Sequence, residues 1–300
     1  MLNTLPVLRA LSLGLFLAAA TANLAWADQT GTLLLAHGQH TMGTAGHDHH
    51  HASPAPNPWN QNVEKLAATL NQSTPTEVAF GMAEPESIQA AVDRLTARGV
   101  TDIVAVPLFI SSHSPIIENF QYILGVRPTL AAKTSLKHLD RVKTTARMKF
   151  TGALDDDPLV SQILLERAKA LTQSPATTTV VLIAHGPNDE EDNKLWLADL
   201  SAHAAYLRAK GGFRSAEFLT IRDDAEGPVK NAAIADFRKR VADGSKDGSV
   251  VVVPVLLSEG GIEEEVEGEL KGLTYSFARP LMPHANFVLW VKEQINHNIK

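Results

Sequence analysis

One short pattern occurs twice in this chain, and it restricts the fold more than any other feature. Thr32-Leu33-Leu34-Leu35-Ala36-His37-Gly38 returns about 148 residues later as Val180-Val181-Leu182-Ile183-Ala184-His185-Gly186. Each copy is a short apolar run closed by Ala-His-Gly. A continuous apolar run of this length, bounded by a glycine, reads as a parallel strand buried on both faces. The histidine then stands at the carboxyl end of a central strand, where open α/β sheets place their ligands. A second pair of runs, Ile103-Val104-Ala105-Val106-Pro107-Leu108-Phe109 and Val250-Val251-Val252-Val253-Pro254-Val255-Leu256, repeats at about 147 residues. Two anchors at nearly the same offset mark a duplicated domain.

The elements between the anchors follow one order in both halves. In the first, helical spacing over 60–70 is followed by a strand at 77–82 and a helix at 85–98, which Gly99 terminates. The strand at 103–109 leads to a helix near 116–124, an edge strand within 141–150 and an amphipathic helix at 158–171. The second half reads strand 179–184, helix 191–209, strand 216–221, helix 229–241, strand 249–256, helix 262–270, strand 275–278 and helix 286–295. Strands alternating with helices predict parallel sheets covered on both faces. Ser174-Pro175 breaks the chain between the halves, dividing it into residues 28–174 and 175–300.

The first 27 residues read as an address. Arg9 leads into an apolar stretch from Ala10 to Ala20, and Ala25-Trp26-Ala27 supplies a small-x-small cleavage pattern. A cleavable signal peptide and a periplasmic location are expected, with no stable membrane insertion after cleavage, because the apolar core falls short of the roughly 20 residues a spanning helix needs. The chain has no cysteine, which excludes disulfides, thiolate metal sites and thiol nucleophiles. Its net charge of −6 and the lack of a basic segment argue against nucleic acid as a partner. The acidic runs Asp155-Asp156-Asp157 and Glu263-Glu264-Glu265 read as solvated helix starts.

Residues 39–57 have neither helical nor strand period. His40, His47, His49, His50 and His51 lie there among Gly, Ala, Thr, Ser and Pro, directly after His37. Neutral imidazole is the commonest nitrogen ligand for zinc, copper, nickel and cobalt, so the segment reads as a metal-collecting loop.

The strand ending in His37-Gly38, the helix start Pro58-Trp59-Asn60, the turn Ala83-Glu84-Pro85 and the strand Ile103–Phe109 together resemble the class II tetrapyrrole chelatases, in particular the CbiX/SirB type of sirohydrochlorin cobalto- or ferrochelatase. Over the second half the resemblance runs through Ala184-His185-Gly186 and Val253-Pro254. It implies two tandem flavodoxin-like (chelatase-like) α/β domains with a tetrapyrrole bound in the cleft between them. It also implies His37 and His113 as catalytic and metal-binding residues, although the loop carrying His113 is about two residues shorter than the family pattern. Methionine at 82 replaces the family's usual glutamate, which leaves Glu84, at the strand's carboxyl end, as the substitute carboxylate.

Inserting a divalent metal into a tetrapyrrole requires removal of two pyrrole protons and a metal held over the ring. A neutral imidazole performs either task near neutral pH. Nitrogen and oxygen donors suit Co²⁺, Ni²⁺, Fe²⁺ and Zn²⁺ alike, with Co²⁺ favoured here by the resemblance. The chain lacks a Walker-type Gly-Lys-Ser/Thr, so no nucleotide is expected. In the second half His185 is a further candidate ligand, while Glu259 stands where His113 stands. Gly260-Gly261 opens a helix whose free N–H groups are expected to receive a substrate carboxylate. His284 reads as a cap of the last helix. The alternatives are a periplasmic metal-delivery protein and a tetrapyrrole or haem carrier without turnover. A duplicated chain forms its cleft internally, so a monomer suffices.

Overall fold

The computed structural model describes residues 29–38, 57–136, 139–260 and 262–299. The expected signal segment 1–27, the loop histidines 40, 47, 49, 50 and 51, and Gly261 lie outside them. Among the described residues no helix is long and apolar enough to cross a membrane.

The protein is α/β, built on two four-stranded sheets in which every pairing is parallel. The first contains β1 (Thr30–Ala36), β2 (Thr76–Phe80), β3 (Asp102–Leu108) and β4 (Arg147–Phe150), in the order β2-β1-β3-β4. The second contains β5 (Thr178–Ala184), β6 (Ser215–Thr220), β7 (Ser249–Pro254) and β8 (Ser276–Phe277), in the order β6-β5-β7-β8. The helices are α1 (Pro58–Leu70), α2 (Pro85–Ala97), α3 (Pro115–Ile123), α4 (Pro158–Lys169), α5 (Glu190–Gly211), α6 (Gly227–Gly244), α7 (Ile262–Glu269) and α8 (Ala285–Ile299). The two sequence anchors thus occupy equivalent places, β1 with β3 and β5 with β7. In each sheet the chain steps from the second strand across the first to form the third. Strand order therefore reverses between β1 and β3, and again between β5 and β7, which opens a ligand crevice at those carboxyl ends.

Local chemistry sets the helix limits. Asn57 caps α1 by accepting from Trp59 N at 2.8 Å, with Pro58 filling the first helical position. Asp189 caps α5 by accepting from Glu191 N and Asp192 N, and Gly212, at φ 69°, ends it in the left-handed conformation. These two signals extend α5 beyond the expected 191–209. Of the ambiguous stretch 141–150, only Arg147–Phe150 forms a strand; it pairs with β3.

Packing crosses the sequence boundary. Helix α8 returns to lie on β3, α1 and α4 of the first half, whereas α4 packs on α5 and β7 of the second. One core therefore joins the inner faces of both sheets, with Leu34, Val104 and Val106 from the first and Val180, Leu182 and Val253 from the second. Phe287 and Trp290 of α8 close it, each burial contributing roughly 2 kcal/mol. The outer faces carry separate apolar clusters under α2 and α3, and under α6 and α7.

The polar side of this seam is one face of α5. Asp192, Trp196, Asp199 and His203 recur at helical spacing. Asp192 receives Lys133 at 3.2 Å, and Trp196 Nε1 donates to the carbonyl of His113 at 2.9 Å. Asp199 accepts from Ser111 Oγ at 3.1 Å. His203, only 1% exposed, bonds Ser161 Oγ through Nδ1 at 2.7 Å and the carbonyl of Asp155 through Nε2 at 2.9 Å. A carbonyl only accepts, so Nε2 carries the proton and Nδ1 accepts from the serine.

Burial lowers the pKa of His203, against the pull of the Asp155 carbonyl bond and the charge of Asp156. The unfolded chain takes up its proton below about pH 6.5 while the folded ring stays neutral. This residue's contribution is therefore complete above that pH and declines as pH falls through it. The urea midpoint of the parent is expected to drop more between pH 7.5 and 5.5 than that of His203→Gln, which keeps a donor for Asp155 and does not titrate. Identical pH dependence in the two proteins would refute this assignment.

Candidate functional site

The repeated Ala-His-Gly builds the same device at both strand ends. His37 Nδ1 lies 2.7 Å from the carbonyl of Gly38, and His185 Nδ1 lies 2.8 Å from that of Gly186. Each carbonyl fixes the proton on Nδ1 and leaves the lone pair on Nε2, the tautomer suited to ligating a metal or accepting a proton. The tight turn needs glycine for two reasons. Gly38 has φ 67° and Gly186 φ 77°, a region that L side chains rarely adopt. A Cβ would also fall 2.9 Å from Phe80 Cβ in the first half and 2.4 Å from Thr220 Cβ in the second.

What surrounds the two histidines differs. The His37 carbonyl accepts from Gly81 N at 2.9 Å, and the His185 carbonyl from Arg222 N at 2.7 Å. Arg222, 6% exposed, braces the short loop before α5 by bonding the carbonyls of Pro187 and Asn188 and pairing with Glu190 at 2.6 Å. The equivalent Gly81 has no side chain. Glu84 folds back on Gly81, where an added Cβ would meet its Cδ at 2.6 Å. Its carboxylate thus lies at the carboxyl end of β2. Glu77, by contrast, is tied to Arg94 and Arg98 near the strand's other end.

His113 follows β3, the neighbour of β1, and its loop is held on several sides. The His113 N–H donates to Ser111 Oγ at 3.2 Å. Asp155 accepts from Ser112 N at 2.6 Å and Ser112 Oγ at 2.7 Å, while that hydroxyl accepts from Ala153 N at 2.8 Å. Asp155 holds this position at φ 44°, rare for a residue with a side chain. One ligand atom from each of His113, Asp155 and Asp199 lies within 4.8 Å of the others. Burial, helped by the charge of Asp155, pushes the pKa of Asp199 up to about 6, against the Ser111 hydroxyl and His113.

This grouping was only partly legible in the sequence. The acidic run at 155–157 behaves as expected at Asp157, which caps α4 by accepting from Leu159 N at 2.8 Å. The solvated-helix-start expectation fails at Asp155, whose backbone turn directs its carboxylate onto the Ser112 loop. Asp199 was not foreseen. Its signal is the polar stripe of Asp192, Trp196, Asp199 and His203 on a helix otherwise facing a core. Among the described residues, no group of three potential donors includes His37 or Glu84.

The second half carries its own group, His185 with Asp223 and Asp224. His185 Nε2 lies 3.5 Å from Asp224 Oδ2. Asp223 is paired with Lys230. Burial works to raise its pKa, but the Lys230 contact prevails and holds it below the usual carboxylate range. Glu259, at the position equivalent to His113, is exposed. The expectation of a free anion-binding N–H at Gly260 is corrected: it donates to Glu263 Oε2 at 3.0 Å, so the helix caps itself. His284 caps the last helix, accepting from Asn286 N at 3.1 Å and meeting Glu166 at 2.9 Å.

The fold has counterparts among known proteins. Residues 53–171 match the CbiX family model, a stretch that begins after β1 and contains Glu84, His113 and Asp155. No curated protein matches the sequence. Among solved structures, SirB from Bacillus subtilis with Fe³⁺ superposes with a TM-score of 0.61 at 18% identity, covering 90% of this chain and 97% of that one. The sirohydrochlorin chelatase SirB from Bacillus subtilis subspecies spizizenii in complex with cobalt gives 0.58 at 16% identity, with the same coverage. CbiX, described as the terminal enzyme for biosynthesis of siroheme in denitrifying bacteria, gives 0.56 at 18% identity, covering 90% and 100%. Residues 53–171 thus resemble the CbiX family, a stretch that leaves out β1 and His37, and the two-sheet fold as a whole is shared with these chelatase structures.

Proposed function

We propose that this protein inserts a divalent metal, preferentially Co²⁺, into sirohydrochlorin or a related tetrapyrrole without nucleotide. The reaction takes place at the crevice between the halves, and the protein works in the periplasm after loss of its first 27 residues. The observation that carries the reading is the pair of histidines on adjoining strands of the sheet. His37 ends β1 with its Nδ1 proton fixed by Gly38, and His113 stands on the loop after β3. The match to the CbiX family and the metals and pigment named for SirB support it.

In this reading the macrocycle lies across the carboxyl edge of the first sheet. His37 Nε2 accepts a pyrrole proton, and His113 presents the metal to the ring nitrogens. Glu84, beside the His37 carbonyl at Gly81, supplies the supporting carboxylate. That carboxylate takes the second pyrrole proton, and the two protons leaving the ring balance the charge of the entering ion.

A second reading, metal binding and delivery without turnover, is favoured by the group at His185 and by the histidines of 39–57. The two separate on one experiment. The full chain is mixed with sirohydrochlorin and Co²⁺, Ni²⁺ or Fe²⁺ in parallel, and the pigment's visible spectrum is followed. Many equivalents of metallated pigment per protein, fastest with Co²⁺, are expected. Tight metal binding with a pigment spectrum that changes no faster than in protein-free controls would leave only delivery.

A further inference from the structure

We infer that His113, Asp155 and Asp199 form one metal-holding site with ligands from both halves of the chain, so that the ion is received at the seam and not by the first half alone. The inference rests on the proposed insertion reading for its purpose, though not for its binding test.

The side chains are arranged as ligands would need to be. Their three donor atoms lie within 4.8 Å of one another. Two ligand atoms at about 2.0–2.2 Å from one ion stand at most about 4.4 Å apart, so a small side-chain rotation closes the set. Among the described residues the His113 ring makes no hydrogen bond, although its backbone is clamped by Ser111 on one side and Trp196 on the other. Asp155 receives two bonds from Ser112 and still has lone pairs to offer. Such bonds orient a ligating carboxylate without saturating it.

Charge points the same way. Asp155 and Asp199 are half-buried side by side, and among the described residues neither forms an ion pair with lysine or arginine. A seam built for stability alone would place a neutral amide at one of them, since an uncompensated half-buried carboxylate pair opposes folding. A divalent ion neutralises both, and a neutral imidazole completes a mixed nitrogen and oxygen set suited to Co²⁺, Ni²⁺, Fe²⁺ or Zn²⁺. Asp199 belongs to α5 of the second half, so that half supplies a ligand even though the equivalent of His113 is Glu259. The other group, at His185, differs because Lys230 already neutralises one of its carboxylates.

The test uses Co²⁺ alone and the full chain, with histidines 40, 47, 49, 50, 51 and 185 changed to alanine to remove competing sites. Co²⁺ is titrated by calorimetry and by its visible absorption. Asp199→Asn and His113→Ala are each expected to weaken binding at least about tenfold and to change the spectrum of any ion still bound. Asp199→Asn keeps an acceptor for Ser111, and its metal-free melting temperature is expected to equal or exceed that of the background. Binding by Asp199→Asn within twofold of the background overturns the inference, as does weakened binding that merely follows a lowered metal-free melting temperature. Loss of Co²⁺ binding upholds the site even if the parent metallates no pigment, an outcome that sinks only the insertion reading. Rapid metallation with unchanged Co²⁺ binding does the reverse.

Discussion

His37→Ala and His113→Ala are each expected to slow metallation of sirohydrochlorin by about a hundredfold or more, the usual contribution of a positioned proton acceptor or ligand. They should fail differently. Among the described residues His37 joins no group of three potential donors, and its Nδ1 faces the Gly38 carbonyl, so in the proposed reading it acts on the pigment. Its alanine variant should bind Co²⁺ normally yet leave the pigment unmetallated. His113 sits among carboxylates, so its alanine variant should lose Co²⁺ as well. The double variant should be little slower than the worse single one, because residues needed for one step act as a unit. His185→Ala is expected to cost under about threefold, since residues acting as the unit just described do not include it. Its Nε2 already faces Asp224, and its neighbouring loop carries no histidine. Equal losses at His37 and His185 in steady-state rates would mean that both halves perform chemistry, and clearly multiplicative losses in the double variant would separate His37 from His113.

The two like sheets were legible because buried parallel strands impose a short apolar run, and β1, β3, β5 and β7 each carry one after a polar start. Helices with a clean apolar stripe, such as α1 with Val63, Leu66, Ala67 and Leu70, were equally readable. The strand β4 was blurred because it is a short edge strand whose half-exposed residues carry little alternation. The seam was the least legible part. Exchange of α4 and α8 across the boundary depends on contacts between residues tens to well over a hundred positions apart, and no local pattern encodes them. Asp155 illustrates the same limit. In sequence it is one of three aspartates before a helix, and only the turn at φ 44° separates its fate from that of Asp157. Gly260 was misread because an N–H at a helix start is free only until a nearby carboxylate takes it, as Glu263 does.

Gly186→Ala is expected to be the more damaging of the two alanine substitutions in the Ala-His-Gly turns. Holding alanine at φ 77° costs about 1–2 kcal/mol. The new Cβ would also lie 2.4 Å from Thr220 Cβ, an overlap that costs about 1–3 kcal/mol to relieve. Thr220 cannot swing aside easily: it is buried, and its hydroxyl donates to Asn193 at 2.7 Å. A loss of about 3 kcal/mol in urea unfolding is therefore expected. Gly38→Ala meets Phe80 Cβ at 2.9 Å, a milder overlap than that at Gly186, so its loss should be smaller, about 1–2 kcal/mol. The order should invert for activity. Gly38 supplies the carbonyl that fixes the His37 proton, and a shifted turn misplaces Nε2 at the pigment. Gly38→Ala should then lose far more metallation rate than stability, while the folded fraction of Gly186→Ala keeps most of its rate. If Gly186→Ala unfolds within about 0.5 kcal/mol of the parent, the steric account of the Ala-His-Gly turn fails. If Gly38→Ala metallates at the parental rate, the carbonyl does not set the histidine's tautomer for the reaction.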